Sequence, residues 1–146
     1  MHCFPTRRKF MPPDKGRKVI MKEIKAYIQR CCVNKLVIAL EEAGAPGITI
    51  VDIHPVGYGY EPNCFEEHFE DAYKRYAYLR IVKVEVVCAD YDLDRLVDVI
   101  QRECRTGAKG DGMIFVADVA QAIRIRDGNS GDPVLHSSRV PLAEGR

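Results

Sequence analysis

The sequence predicts an α+β protein of the ferredoxin-like βαββαβ type, with two helices on one face of a four-stranded antiparallel sheet. Four segments have the alternating or β-branched composition of strands, two have helical periodicity, and their order is β-α-β-β-α-β. A length of 146 residues suits one domain, and a hydrophobic content of 47% is enough for a packed core. Because two helices cover only one face of such a sheet, we expect oligomerisation to cover the other.

The first half of the chain contains two strands and a helix. The first strand is predicted over 18–28, where apolar residues recur at every second position. A helix follows, for which Asn34 is a candidate N-terminal cap and Gly44 the C-terminal end. The β-branched stretch 48–56 then predicts the second strand.

The second half repeats this order with the two remaining strands. The third strand is predicted over 79–89, where valines alternate with charged residues. A second helix follows, with Asp92 as its candidate cap and Gly107 at its end. Residues 114–119 predict the fourth strand, and 123–126 a short extended piece.

The composition divides the chain into three parts. Residues 1–20 carry six basic residues against one acidic residue and predict a basic, flexible arm. The folded domain is expected over 21–128, and the Gly-, Pro- and Ser-rich segment 129–146 predicts a flexible tail. The net charge of only +1 argues against a nucleic-acid partner. No apolar run approaches the ~18 residues of a membrane span.

The cysteines and histidines predict no metal site, because none of the six cysteines and four histidines has zinc-site spacing. The N-terminus lacks the apolar core of a secretory signal, so we expect a cytoplasmic protein with reduced thiols. Cys88 and Cys104 lie among apolar residues and are expected in the core. No nucleophile with its base, and no paired acid and base, is recognisable, so we predict no catalytic residue and no enzyme.

Residues 57–78, between the second and third strands, are far longer than a hairpin of about 2–5 residues needs. They hold seven of the chain's twelve aromatic residues, and five acidic residues against two basic ones. Four aromatic residues follow one helical stripe: Phe65, Phe69, Tyr73 and Tyr76. Two interpretations stay open, a small helix packed on its own domain and a loop that binds a partner.

Two short segments predict a phosphate site. Residues 106–112 contain three glycines, whose backbone N–H groups can approach an anion closely, and Lys109 adds positive charge. Arg124 and Arg126 lie two residues apart, so in an extended segment they would point the same way and form a fork for phosphate oxygens.

These segments resemble the PII signal-transduction family. Residues 105–116 (RTGAKGDGMIFV) closely follow that family's second signature, and 119–128 (VAQAIRIRDG) the stretch after it. The resemblance covers about 21–128 except the long loop. It implies a homotrimer with an adenine nucleotide (ADP, AMP or ATP) in each cleft between subunits. It also implies a protruding T-loop, here 57–78.

The resemblance also implies individual roles. The phosphates would be lined or bound by Gly107, Gly110, Asp111, Gly112, Arg124 and Arg126, and the nucleotide-binding set also includes Lys109 and Met113. The ribose and base would be contacted by Thr49, Glu85, Val86 and Val87. Gly57 and Tyr58 would form the base of the T-loop beside the nucleotide.

The chain departs from the family pattern at the ends of the phosphate site. At Met113 the family usually has a lysine for the outer phosphates, and losing a charged donor costs ~1.5–3 kcal/mol. We therefore predict a weakened preference for ATP over ADP or AMP, which Lys109 could offset only in part. The family's glutamine for magnesium and lysine for 2-oxoglutarate are replaced by Gly59 and Ile81, which argues against both ligands.

A PII homologue with these departures resembles the divergent PII-like group linked to inorganic-carbon uptake and carboxysomes, whose members bind adenine nucleotides with bicarbonate. Bicarbonate is then expected on the N–H groups of Gly57, Tyr58 and Gly59. A protein target, such as a membrane transporter or an enzyme, is expected to contact the T-loop through its aromatic stripe.

Four alternatives remain beside this interpretation. The first is a conventional PII nitrogen regulator that responds to ATP and 2-oxoglutarate. The second is an acylphosphatase-like enzyme, whose glycine-rich phosphate loop after the first strand is missing from 29–34. The third is an RNA-binding module, which needs exposed aromatic residues on its central strands, where this chain offers only Tyr27 and Phe115. A metal-binding trimer is disfavoured by the scattered histidines and cysteines.

Overall fold

The computed structural model describes residue 16 and residues 18–55 and 81–136. Most of the predicted arm, the whole loop 57–78 and residues 137–146 lie outside these described residues. The strands are β1 (Met21–Gln29), β2 (Thr49–Asp52), β3 (Ile81–Ala89) and β4 (Met113–Val119). The helices are α1 (Val33–Glu42), α2 (Leu93–Cys104) and the short α3 (Pro133–His136), with 3-10 turns at Arg30–Cys32 and Asp90–Asp92.

The four strands form one sheet in the order β2-β3-β1-β4, and every neighbouring pair is antiparallel. This order confirms the predicted ferredoxin-like fold. In the centre of the sheet Ile24 pairs with Val86 on one side and with Val116 on the other. The antiparallel register keeps such residues on one face, so a single alternation pattern continues across three strands.

The core lies between the sheet and the two long helices. Even-numbered positions of the central strands face the helices and are almost fully buried, as are the inward residues of α1 and α2: Ile24, Ile28, Val82, Val84, Val86, Leu36, Leu40, Leu96 and Ile100. Cys88 and Cys104 are buried as expected. Burial is also the main cause that raises the pKa of Cys88 to about 11 and that of Cys104 to about 12. No helix in the described part of the chain is long and apolar enough to span a membrane.

The opposite face of the sheet carries charged and aromatic side chains. On β3, Lys83 Nζ lies 2.7 Å from Glu85 Oε1. Lys25 on the neighbouring strand β1 is the register partner of Glu85. The rings of Tyr27 and Phe115 meet edge to face with centroids 5.7 Å apart. Neither α1 nor α2 contributes to this face, so in one chain it stays open to solvent along β4, where Phe115 is exposed.

The helix starts differ from the sequence prediction. Asn34 was expected to cap α1, which is wrong, because the helix begins at Val33 after a 3-10 turn that already bends the chain. Asp92 does occupy the N-cap of α2, but its carboxylate pairs with Arg95 one turn later rather than with a backbone N–H. The pattern correctly located both helices, whereas the capping contacts depend on neighbours that a local motif does not reveal.

The segment after β4 forms a turn instead of an extended strand. Residues 125–127 are in the turn, the N–H of Arg124 donates to Asn129 O at 2.8 Å, and the N–H of Gly128 donates to Arg124 O at 2.8 Å. The prediction of an extended piece over 123–126 is therefore wrong. Gly128 has a φ of +71°, which permits the reversal.

Hydrogen-bonded structure continues into the first part of the predicted tail. Residues 129–136 include the bridge from Ser130 to Ile123 and helix α3. The Tyr91 hydroxyl lies 3.2 Å from His136 Nε2, which joins α3 to the 3-10 turn before α2. These contacts hold the end of the described chain next to the 3-10 turn that precedes α2.

Candidate functional site

The loop between α2 and β4 is shaped by the carboxylate of Asp111. Its Oδ2 accepts hydrogen bonds from the N–H groups of Thr106 and Gly107, each at 2.8 Å, and its Oδ1 accepts one from the Thr106 hydroxyl. The hydroxyl bond and the backbone bond from Thr106 are the main causes that hold the pKa of Asp111 below its ordinary value. Asp111 was expected to line phosphates, and in this chain it folds the loop.

The glycines of the loop adopt a backbone conformation that other residues rarely reach. Gly107, Gly110 and Gly112 have φ values of +85°, +90° and +109°. The Gln29 side chain donates a hydrogen bond from Nε2 to Gly110 O at 3.2 Å, so β1 also holds the loop. No described residue accepts a hydrogen bond from the N–H groups of Gly110 or Gly112, which leaves both donors for an anion.

Replacing Asp111 with asparagine should speed amide hydrogen exchange at Thr106 and Gly107, because the charged acceptor for both N–H groups is lost. In the wild type the protection of these amides, expressed relative to the intrinsic exchange rate at each pH, should likewise decrease as the pH falls. A lowered carboxyl pKa means that the contact is complete above the ordinary value of 3.8 and is lost as the pH falls through the depressed value. Equal protection in both proteins at neutral pH would contradict this account of the loop.

A cavity of about 450 Å³, here called the phosphate cavity, lies beside the loop, between the end of α2 and the start of β4. Its polar lining comes from Tyr27, Gln101, Arg105, Asp111 and Gly112, and Met113 adds a thioether. Asp111, Gly112 and Met113 are site residues predicted from the sequence, whereas Tyr27, Gln101 and Arg105 are not. Alternation along β1 places Tyr27 on the open face, and Arg105 directly precedes the loop, so both signals were present in the sequence.

The residues expected near the ribose and base line a second cavity of about 270 Å³. Thr49, Glu85 and Val87 are on its wall with Glu23, and Val134 and Leu135 at the C-terminal end of the described chain complete it. Thr49 and Glu85 are register partners on β2 and β3. Val86 is only 1% exposed and faces the helices, so only its backbone remains for a ligand on this side.

The two cavities extend from the central strand β1 toward opposite edges of the sheet, the phosphate cavity toward β4 and the second cavity toward β2. Thr49 on edge strand β2 is followed across the sheet by Glu85, Lys25 and Phe115, the last on edge strand β4. Three strand spacings of about 4.8 Å separate the ends of this row, or about 14 Å. One chain therefore carries two separated groups of the expected nucleotide-binding residues.

The two candidate phosphate arginines have different surroundings. Arg124 donates from Nη1 to Asp127 Oδ2 at 3.0 Å and from Nη2 to Val134 O at 3.4 Å, and its side chain is 21% exposed. Arg126 is 80% exposed and its Nη2 lies 3.9 Å from Asp127 Oδ2. The turn at 125–127 thus breaks the expected parallel fork. The N–H of Asn129, followed by Arg124, lowers the pKa of Asp127, which keeps this acceptor charged.

The remaining expected residues lie outside both cavities or outside the described part of the chain. Lys109 lies exposed on the loop but is not part of the lining of either cavity. Gly57, Tyr58, Gly59 and the aromatic stripe of the long loop lie outside the described residues. Within 18–55 and 81–136, no cluster of three histidine, cysteine, aspartate or glutamate side chains is placed to hold a metal ion.

Comparison with known proteins identifies the family. Residues 21–129 match the family model of the nitrogen regulatory protein P-II. The chain belongs to the P-II family. It is 38% identical over 111 residues to the nitrogen regulatory protein P-II of Bradyrhizobium diazoefficiens, covering 76% of this chain and 96% of that protein. It is 37% identical over 115 residues to the P-II protein of Klebsiella oxytoca, covering 79% and 100%.

A solved structure confirms the P-II fold. The Bacillus subtilis GlnK–ATP complex matches with a TM-score of 0.61 at 23% identity, covering 78% of this chain and 94% of that chain. At this identity the likeness concerns the fold. Together with the family match, it confirms the predicted resemblance and places the chain among P-II regulatory proteins.

Proposed function

We propose that this P-II family member is a cytoplasmic regulatory protein, rather than an enzyme, that binds adenine nucleotides in clefts between three identical chains. The supporting observation is the separation of its two groups of binding residues. The loop 106–112 opens into one cavity, and Thr49 and Glu85 line another at the far edge of the sheet. A second copy would bring the loop 106–112 of one chain against the cavity that Thr49 and Glu85 line in the next chain.

The chemistry of each cavity suits its part of the nucleotide. The N–H groups of Gly110 and Gly112 offer donors for phosphate oxygens, and carboxylates such as those of Glu23 and Glu85 accept hydrogen bonds from ribose hydroxyls. Val87 adds an apolar surface for the base. The similar GlnK of Bacillus subtilis was solved as a complex with ATP, which agrees with this class of ligand.

The uncharged side chain of Met113 favours ADP or AMP over ATP in this proposal. It lines the phosphate cavity where a cation would be needed to balance the charge of a third phosphate. Gly59 and Ile81 argue against magnesium and 2-oxoglutarate, so the proposed co-effector is a small anion, bicarbonate, at 57–59. The T-loop 57–78 would carry the signal to a protein partner such as a membrane transporter or an enzyme.

A ligand-binding screen by thermal shift and calorimetry tests this function. ADP and AMP should stabilise the protein more than ATP at equal concentration, and a ligand at 100 times its Kd contributes about 2.7 kcal/mol. Bicarbonate should tighten ADP binding, whereas 2-oxoglutarate should not change it. If 2-oxoglutarate tightened the binding of ATP, the result would favour the conventional nitrogen regulator. The absence of binding by every adenine nucleotide would contradict the proposal.

A further inference from the structure

One cation lines the phosphate cavity without an assigned role. Arg105 lies on the wall of this cavity together with Gly112 and Met113. We propose that Arg105 binds the terminal phosphate of a nucleoside diphosphate and supplies the positive charge that Met113 does not. This assignment rests on the proposed nucleotide function and names a specificity-determining residue for it.

The backbone of Arg105 is fixed while its side chain is exposed. Arg105 is the C-cap of α2, with φ −78° and ψ 124°, so the chain leaves the helix at this residue. Its N–H donates to Gln101 O at 3.0 Å, and the next residue, Thr106, is bound to the Asp111 carboxylate. The backbone that carries the guanidinium is therefore held in place at the start of the loop.

Other cations near the loop have positions or partners that suit the role less well. Arg102 pairs with Glu103 at 3.1 Å and does not line the cavity. Lys109 is absent from the lining, and Arg124 is held by Asp127 and Val134 O. Among the described residues, Arg105 is the only positively charged side chain that lines this cavity.

The positive charge of Arg105 acts on the loop that Asp111 closes. Its positive charge contributes to the lowered pKa of Asp111, although the hydrogen bonds from Thr106 are the larger cause. Within the described part of the chain, no carboxylate forms an ion pair with Arg105. A guanidinium in this position can donate two parallel hydrogen bonds to one phosphate, which a lysine cannot.

The test compares Arg105→Gln with the matched control Arg102→Gln by calorimetry with ADP, AMP and adenosine. Both residues are exposed arginines at the C-terminal end of α2, so each variant removes the same charge from the same region. Arg105→Gln should weaken ADP binding about tenfold, with less effect on AMP and none on adenosine. Arg102→Gln should bind all three as the wild type does.

A second variant separates phosphate binding from a structural role through Asp111. Met113→Lys should rescue ADP affinity in Arg105→Gln by a larger factor than it raises ADP affinity in the wild type, because the new cation then replaces the one that was lost from the same cavity. Weaker ADP binding without such rescue, or equal affinities of Arg105→Gln and Arg102→Gln, would overturn the assignment while wild-type binding of ADP upholds the nucleotide function. A wild type that binds no adenine nucleotide would contradict both.

Discussion

Replacing Met113 with lysine should raise the affinity for ATP about 10- to 150-fold, the range that ~1.5–3 kcal/mol for a charge-assisted hydrogen bond implies. Met113 begins β4, lines the phosphate cavity and is 43% exposed, so a lysine fits without displacing the core. The gain should be largest for ATP, smaller for ADP and smallest for AMP, because the added charge acts on the outer phosphates. Calorimetric titration of each nucleotide measures this order.

Met113→Gln is the matched control, since it has a similar length and adds polarity without charge. It should leave the order of nucleotide affinities close to that of the wild type. An equal gain for adenosine and ATP in Met113→Lys, or no gain for any nucleotide, would show that residue 113 does not face the phosphates.

Replacing Arg126 with alanine should weaken ADP binding about 10- to 150-fold and leave the melting temperature of the nucleotide-free protein unchanged. Its side chain is 80% exposed and, among the residues that the structure describes, makes only a long contact of 3.9 Å with Asp127, so the fold loses little. The exposed guanidinium is free to reach a phosphate bound by another chain. Calorimetry with ADP and melting without ligand give the two readouts.

Arg124→Ala should affect both readouts. It removes the hydrogen bonds to Asp127 and Val134 O that hold the turn, so the nucleotide-free protein should melt lower, and the ADP-induced shift should also disappear. Arg102→Ala serves as the control and should change neither readout. If both Arg124→Ala and Arg126→Ala bound ADP with wild-type affinity, the turn would not be part of the nucleotide site.

The fold could be predicted because its signals are local and consistent. Alternation along β1 and β3 identifies the buried positions from Ile24 to Val86, and the spacing along α2 identifies Leu96 and Ile100. The start of α1 could not, because a 3-10 turn at Arg30–Cys32 already begins the helical path before Asn34. Local capping motifs do not report such a turn.

The candidate site divides in the same way. The composition of 106–112 predicts a loop with free N–H groups, whereas the use of Asp111 as its internal acceptor depends on a fold that closes the loop. The parallel fork predicted for Arg124 and Arg126 does not form, because the Ile123–Ser130 bridge closes a turn in a segment that looks extended by itself. The distance between Thr49 and the loop follows only from the strand order.

Native mass spectrometry of the wild-type protein with ADP tests the central proposal most directly, because it counts chains and ligands in the same particle. A site divided between the edges of two chains predicts a trimer that carries up to three ADP molecules, and monomers, produced by dilution, that carry none. Monomers that retain ADP, or a trimer that binds none, would contradict a nucleotide site built from two chains.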